Sequence, residues 1–233
     1  MTAAFYKPFY KRWWVKLVAC IIVFPLSFVI TDYYLRGYLY YTKRTINIIY
    51  QNTWQNLFPP SGPITYTLRV VVDQQYRQKY PDWKTHVPAL IDRVNKRFSD
   101  EFDINFIPLD ISPYDIPDNM TDFDDILTYG VKNIDRRRAD ILVILSGKEF
   151  DIEQGAHWVN IGVAHYLGNS ILVSDDSQLL HEMGHLFGAI DYPPGDPNFD
   201  VESIYSYKYT KKTRIIDSMN YDRIMQHKYR FIW

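Results

Sequence analysis

The sequence predicts an α/β domain built on a mixed five-stranded sheet, and three observations carry that prediction. Short runs with strand-like patterning alternate with segments of helical periodicity from Ile64 onward. One of those runs, Asp140 to Ser146, is apolar almost throughout and reads as a central strand. A final apolar stretch, LLHEMGHLFGAIDY at 179–192, carries two histidines and two acids where a core segment would carry none. A buried ionisable group is costly unless something binds it.

The elements follow in order. ITYTLRVVVD places Ile64, Tyr66, Leu68, Val70 and Val72 on one face and is a strand. Pro81 and Asp82 open a helix whose Val87, Leu90, Ile91, Val94 and Phe98 keep helical spacing. INFIPLDI, from Ile104, is the second strand. Thr121 starts a second long helix, with Asp122, Asp124 and Asp125 in its first turn and Arg136, Arg137 and Arg138 in its last, complementing the helix dipole. DILVILS is the third strand, and VNIGVAHYL and SILVSD are the fourth and fifth. Ser174, Asp175 and Asp176 then supply helix-start chemistry for SQLLHEMGHLF. The order is β-α-β-α-β-β-β-α, without internal repeats.

Ahead of this domain lies a different kind of chain. WWVKLVACIIVFPLSFVI, from Trp13 to Ile30, has Lys16 as its only charge and about the length a bilayer core requires. Trp13 and Trp14 border one end and Tyr33 and Tyr34 the other, as interfacial aromatics do. The expected organisation is a cytoplasmic N-terminus at 1–12, a transmembrane signal-anchor helix at 13–31, a Tyr-rich juxtamembrane stalk and Pro/Gly linker at 32–62, and the main domain at 63–233. No small-x-small cleavage pattern follows Ile30. Lys7, Lys11, Arg12 and Lys16 on the near side put the N-terminus inside and the large domain outside the cytoplasm.

Composition narrows the function classes. The 26 Lys+Arg balance 27 Asp+Glu, so no global field points to nucleic acid. Cys20 is the single cysteine, which removes intrachain disulfides and cysteine-based metal sites.

The chemistry concentrates in 181–191. His181 and His185 are four apart on a helix, so their imidazoles leave one face a turn apart and can share a metal ion. Glu182, beside the first, can serve a water on the metal without coordinating it. The plainer possibility is a helix with two satisfied histidines and an exposed glutamate. Gly188 sits where a positive φ would end the helix, and Asp191 lies close enough to return as a third ligand. A simple helix stop and a solvated loop acid are the alternatives for those two.

HEMGHLFGAID resembles the HExxHxxGxxH/D signature of the metzincin zinc peptidases, and its aspartate resembles the snapalysin-like branch. The resemblance implies a mostly parallel sheet, a C-terminal helix, one catalytic Zn2+ held by His181, His185 and Asp191, and Glu182 as general base. It also implies a methionine turn under the metal. IDSMNY at 216–221 offers Met219 for that floor and Tyr221 for a tyrosine near the zinc, against the commoner use of methionine as core filling. By the same analogy the edge strand containing Gly162, Val163, Ala164 and His165 would bind a peptide backbone. DPNFD, from Asp196, lacks the glycine and glutamate of an EF-hand and reads as a solvated loop.

The expected function is a membrane-anchored zinc endopeptidase working on protein or peptide substrates outside the cytoplasm. It would contact the lipid bilayer and no nucleic acid. A non-catalytic surface protein that keeps the fold for partner binding is the other expectation, and the intact Glu182 speaks against it.

Overall fold

The computed structural model describes residues 62–120, 122–148, 162–210 and 212–229. The expected membrane anchor and stalk lie outside these residues. Among the described residues no helix is long and apolar enough to cross a membrane.

Five strands form one sheet in the order β2-β1-β3-β5-β4. They are β1 (Ile64–Val72), β2 (Ile104–Pro113), β3 (Ile141–Leu145), β4 (Gly162–Ala164) and β5 (Ser170–Val173). The pairs β1–β2, β1–β3 and β3–β5 are parallel, and β4 alone runs antiparallel, along β5. The mixed, mostly parallel sheet matches the expectation.

Residue parity splits the sheet into two faces. Tyr66, Leu68, Val70, Val72, Ile141, Val143, Leu145, Ile171 and Val173 point into one core. Val71, Leu142, Ile144 and Leu172 point into the other. A strand buried on both sides has no polar face to show, which is why β3 reads as an unbroken apolar run. Helix α2 (Trp83–Phe102) covers the first face with Val87, Leu90, Ile91, Val94, Phe98 and Phe102. Helix α3 (Phe123–Asn133) covers the second with Phe123, Ile126 and Leu127.

Between β1 and α2 the chain makes a short helix that periodicity did not reveal, α1 (Gln74–Lys79). Its cap is Asp73, whose carboxylate accepts from Tyr76 N at 2.7 Å, from Gly147 N at 2.9 Å and from the Ser146 hydroxyl. One buried acid thereby joins the C-terminal ends of β1 and β3. Helix α3 also ends earlier than expected. It stops at Asn133, and Arg136 to Arg138 lie beyond it, with Arg137 and Arg138 at positive φ. Asp135 accepts from Arg137 N at 2.9 Å, a local turn that competes with further helix. Arg137 instead reaches the β2 edge of the sheet, where it is 3.4 Å from Asp110, itself paired with Arg69.

After β5, Asp175 caps a 3-10 turn by accepting from Ser177 N at 2.8 Å, and α4 (Leu179–Leu186) follows. Leu179, Met183 and Leu186 fill the first core, and Phe187 packs against Tyr66 and Phe98 at ring separations of 5.6 and 5.7 Å. Those contacts fix α4 beside β5 and β4. The last helix among the described residues is α5 (Ser218–His227), in the place of the C-terminal helix that the resemblance implies.

Candidate metal centre

One helical turn separates the two imidazoles, and backbone carbonyls fix their tautomers. A carbonyl only accepts, so His181 Nδ1 donates to Ile204 O at 2.9 Å and His185 Nδ1 to Ala189 O at 2.8 Å. In the neutral rings both Nε2 atoms therefore present lone pairs, and they face each other across 2.9 Å. Gly188 ends the helix at φ +88°, and its N–H returns to His185 O at 3.1 Å. The reversal brings Asp191 back to the pair, with Oδ1 3.2 Å from His181 Nε2 and Oδ2 3.5 Å from His185 Nε2.

Three electron-pair donors thus converge on one point. Only a shared cation holds such a set together, either a proton or a metal ion. Two imidazole nitrogens and a carboxylate oxygen are a donor set that suits zinc. The buried Asp191 Oδ1 has no hydrogen-bond donor among the described residues, which fits a carboxylate kept for an ion. The Ile204 and Ala189 carbonyls orient both rings as metal-ligating histidines need.

The charges follow the same geometry. Burial works against ionised Asp191, yet the two imidazoles hold its carboxyl well below the usual carboxylate range. Burial likewise pushes the His185 imidazole down, and Asp191 and Glu182 outweigh it and lift the ring to about 9. Glu182 is 4% exposed, and burial raises its pKa. His181, Glu182 and His185 place their ligand atoms within 4.8 Å of one another. Glu182 Oε1 is 3.9 Å from His181 Nε2, farther than either Asp191 contact, so Asp191 is the better placed third ligand.

A cleft of about 340 Å³ opens beside this cluster, lined by Gly162, Val163, Ala164, Glu182, Asp191 and Tyr207 among others. Gly162 lies directly over Glu182, where a Cβ would come within 2.6 Å of Oε1. Its lack of a side chain keeps the carboxylate open to the cleft. His165 is not on that wall. Its Nδ1 lies 2.7 Å from Ser170 Oγ, and its backbone N–H joins the β5 ladder. A larger groove of about 570 Å³ runs along α2, where Lys96 and Arg97 pair with Asp100 and Glu101, and it holds none of these donors.

The expected methionine floor is not where IDSMNY would place it. Met219 is 42% exposed on α5. The Tyr221 hydroxyl donates to Glu101 O at 3.2 Å and its ring packs on Phe102, away from the cleft. Helix α5 turns those two side chains outward and its Asn220 inward. Asn220 accepts from Ile190 N at 2.8 Å and donates to Ile190 O at 3.1 Å, clamping the residue before Asp191. Asp217 holds Asn220, Tyr192 and Ser203 in turn. The residue actually under the imidazoles is Tyr205, fully buried, with its ring centroid 5.0 Å from His181 and 5.6 Å from His185. Sequence reasoning missed Tyr205 and Tyr207. The available signal was SIYSY at 203–207, a second serine- and tyrosine-bearing segment between Asp191 and IDSMNY.

The comparisons with known proteins bear on the fold and the family. No curated protein sequence matches the chain. Archaemetzincin (amzA) from Methanopyrus kandleri shares its fold at a TM-score of 0.52 and 15% identity, over 73% of this chain and 98% of that one. A chain from a solved chaperone-substrate complex superposes at a TM-score of 0.51 and 12% identity, over 73% of this chain and 36% of that one. This chain therefore spans about a third of the second neighbour's length. Residues 63–227 match the Reprolysin_5 model, described as metallo-peptidase family M12. That match covers well over half of the sequence and includes every donor described above, and the chain belongs to metallo-peptidase family M12.

Proposed function

We propose that the chain is a membrane-anchored zinc endopeptidase of the aspartate-bearing, snapalysin-like type, acting on peptide bonds outside the cytoplasm. The observation that carries this reading is the convergence of His181 Nε2, His185 Nε2 and Asp191 beside a cleft into which Glu182 opens. Zinc in this site supplies Lewis-acid polarisation of a carbonyl and of water. The protein's own residues do the rest. Glu182 takes a proton from the attacking water and delivers it to the leaving amine. Its apolar surroundings make it a stronger base than a free carboxylate. Gly162 to Ala164, at the edge of the sheet among the described residues, receive an extended peptide. Tyr207 lines the same cleft, and in this reading its phenol stabilises the oxyanion, the part that a tyrosine near the zinc would play and that Tyr221, held on Glu101, does not reach. Burial and the carboxylates of Asp191 and Glu182 keep its phenol protonated, so it can donate.

A quenched-peptide assay on full-length protein in detergent, with and without a zinc chelator, tests the activity. Hydrolysis should vanish on zinc removal and return with added zinc. Hydrolysis that survives complete removal defeats the reading, and zinc-loaded protein inert on broad peptide libraries points to a binding role instead. The anchor at 13–31 predicts protein that begins near Met1 and leaves membranes only with detergent. Soluble protein beginning after about Ile30 would overturn that part.

A further inference from the structure

Four things are unusual about Tyr205. It is a fully buried tyrosine whose hydroxyl finds no hydrogen-bond partner among the described residues. Tyrosine normally has a partner for that group when buried, so the ring is being kept here for another reason. Its face lies against His181 at an interplanar angle of 33°, and His185 meets it edge-on at 63°. Its neighbour Ile204 accepts from His181 Nδ1, so one dipeptide grips the same imidazole by edge and by face. Finally, the phenol oxygen occupies the place where a Cβ on Gly184 would stand, with Cζ only 2.8 Å from it.

We propose that Tyr205 is the positioning residue of the metal site, an aromatic floor that fixes both imidazole planes, and that Gly184 must be glycine to admit it. The inference rests on the metal reading given above. Neither residue touches the reacting atoms, so the effect must appear in how the ligands hold an ion. The planar ring limits the swing of two side chains whose Nδ1 atoms are already tied to carbonyls. The hydroxyl contributes nothing to that task except bulk against Gly184.

The test uses full-length protein in detergent and three readouts: zinc affinity by chelator competition, the d–d absorption of the cobalt(II)-loaded site, and the melting temperature of metal-free protein. Tyr205→Phe retains the floor and should keep the wild-type cobalt spectrum, with zinc affinity within about threefold. Tyr205→Leu fills the space without a plane, and should weaken zinc by about 10- to 100-fold and alter the cobalt spectrum. Gly184→Ala should weaken zinc comparably, and the Gly184→Ala/Tyr205→Phe pair should recover part of that loss, because the oxygen is gone and only the ring carbon Cζ, 2.8 Å from the new Cβ, still has to shift. Two results overturn the proposal: a folded Tyr205→Leu with native zinc affinity and cobalt spectrum, or a Gly184→Ala defect that Tyr205→Phe leaves untouched. Wild-type protein that takes up neither zinc nor cobalt defeats the metal reading itself, and the proposal with it.

Discussion

Asp191 and Glu182 line the same cleft and are treated in opposite ways by their surroundings. Two imidazoles keep Asp191 ionised against its burial, whereas Glu182 is lifted by burial, with His181 and His185 opposing only in part. The first environment suits an ion ligand and the second a base. Their replacements should therefore fail differently. Asp191→Ala should lose zinc affinity and activity together, while Asp191→His should keep the metal. Glu182→Gln should keep zinc and lose about 10²- to 10⁴-fold in kcat, the usual worth of a positioned acid–base group. Metal content and turnover measured side by side decide it, and an Asp191→Ala variant with full zinc and full activity would move the third ligand elsewhere. These residues were legible in the sequence because their geometry is local. One helical turn sets the histidines, and one glycine at positive φ sets the return to Asp191.

The elements around the site were only half legible, and IDSMNY shows why. The segment was singled out for Met219 and Tyr221, yet it supports the site through Asp217 and Asn220. Which face a helix turns inward depends on what it docks against, and a ten-residue helix at the end of the chain carries little of that in its own pattern. Tyr205 was hidden for a related reason. It returns to α4 after a long loop, and SIYSY is inconspicuous in a chain with 20 tyrosines. The Asp217–Asn220 brace makes two predictions. Asn220→Ala removes both hydrogen bonds to the partly buried Ile190 backbone, and should cost about 1–3 kcal/mol of stability in denaturant unfolding. Asp217 opposes its own burial with hydrogen bonds from Ser203, Asn220 and Tyr192, and its pKa is lowered. A depressed folded-state pKa gives stability that is complete above the unfolded value, near 4, and is lost as pH falls through the lower folded value. Asp217→Asn should therefore flatten the acid limb of the stability–pH curve relative to wild type. An unchanged acid limb would show that this carboxylate does not hold the brace.

At the scale of the whole molecule, the sheet order decides where a substrate can lie. Among the described residues β2 and β4 are the two edges, and β4 is the one that α4 places beside the donor cluster. Strand β4 is antiparallel to β5, and the His165 N–H donates to Ser170 O at 3.0 Å, so His165 turns its backbone toward β5. Alternation along an antiparallel strand then turns Val163 toward β5 as well, and turns Gly162 and Ala164 toward the free edge. Two proline substitutions one residue apart should consequently have separable effects. Ala164→Pro removes an N–H that no strand uses among the described residues. It should leave stability within about 1 kcal/mol and lower kcat/KM by roughly fivefold or more, the worth of one main-chain hydrogen bond to substrate. Val163→Pro removes a donor from the β5 ladder and strands a buried carbonyl. It should cost about 1–3 kcal/mol in folding before any effect on turnover is considered. Denaturant midpoints and kcat/KM on an extended peptide, measured for both variants, distinguish the two faces of the strand. Equal loss of stability in both would mean that the register of β4 on β5 is wrong. Full activity in Ala164→Pro would mean that the peptide does not pair with this edge.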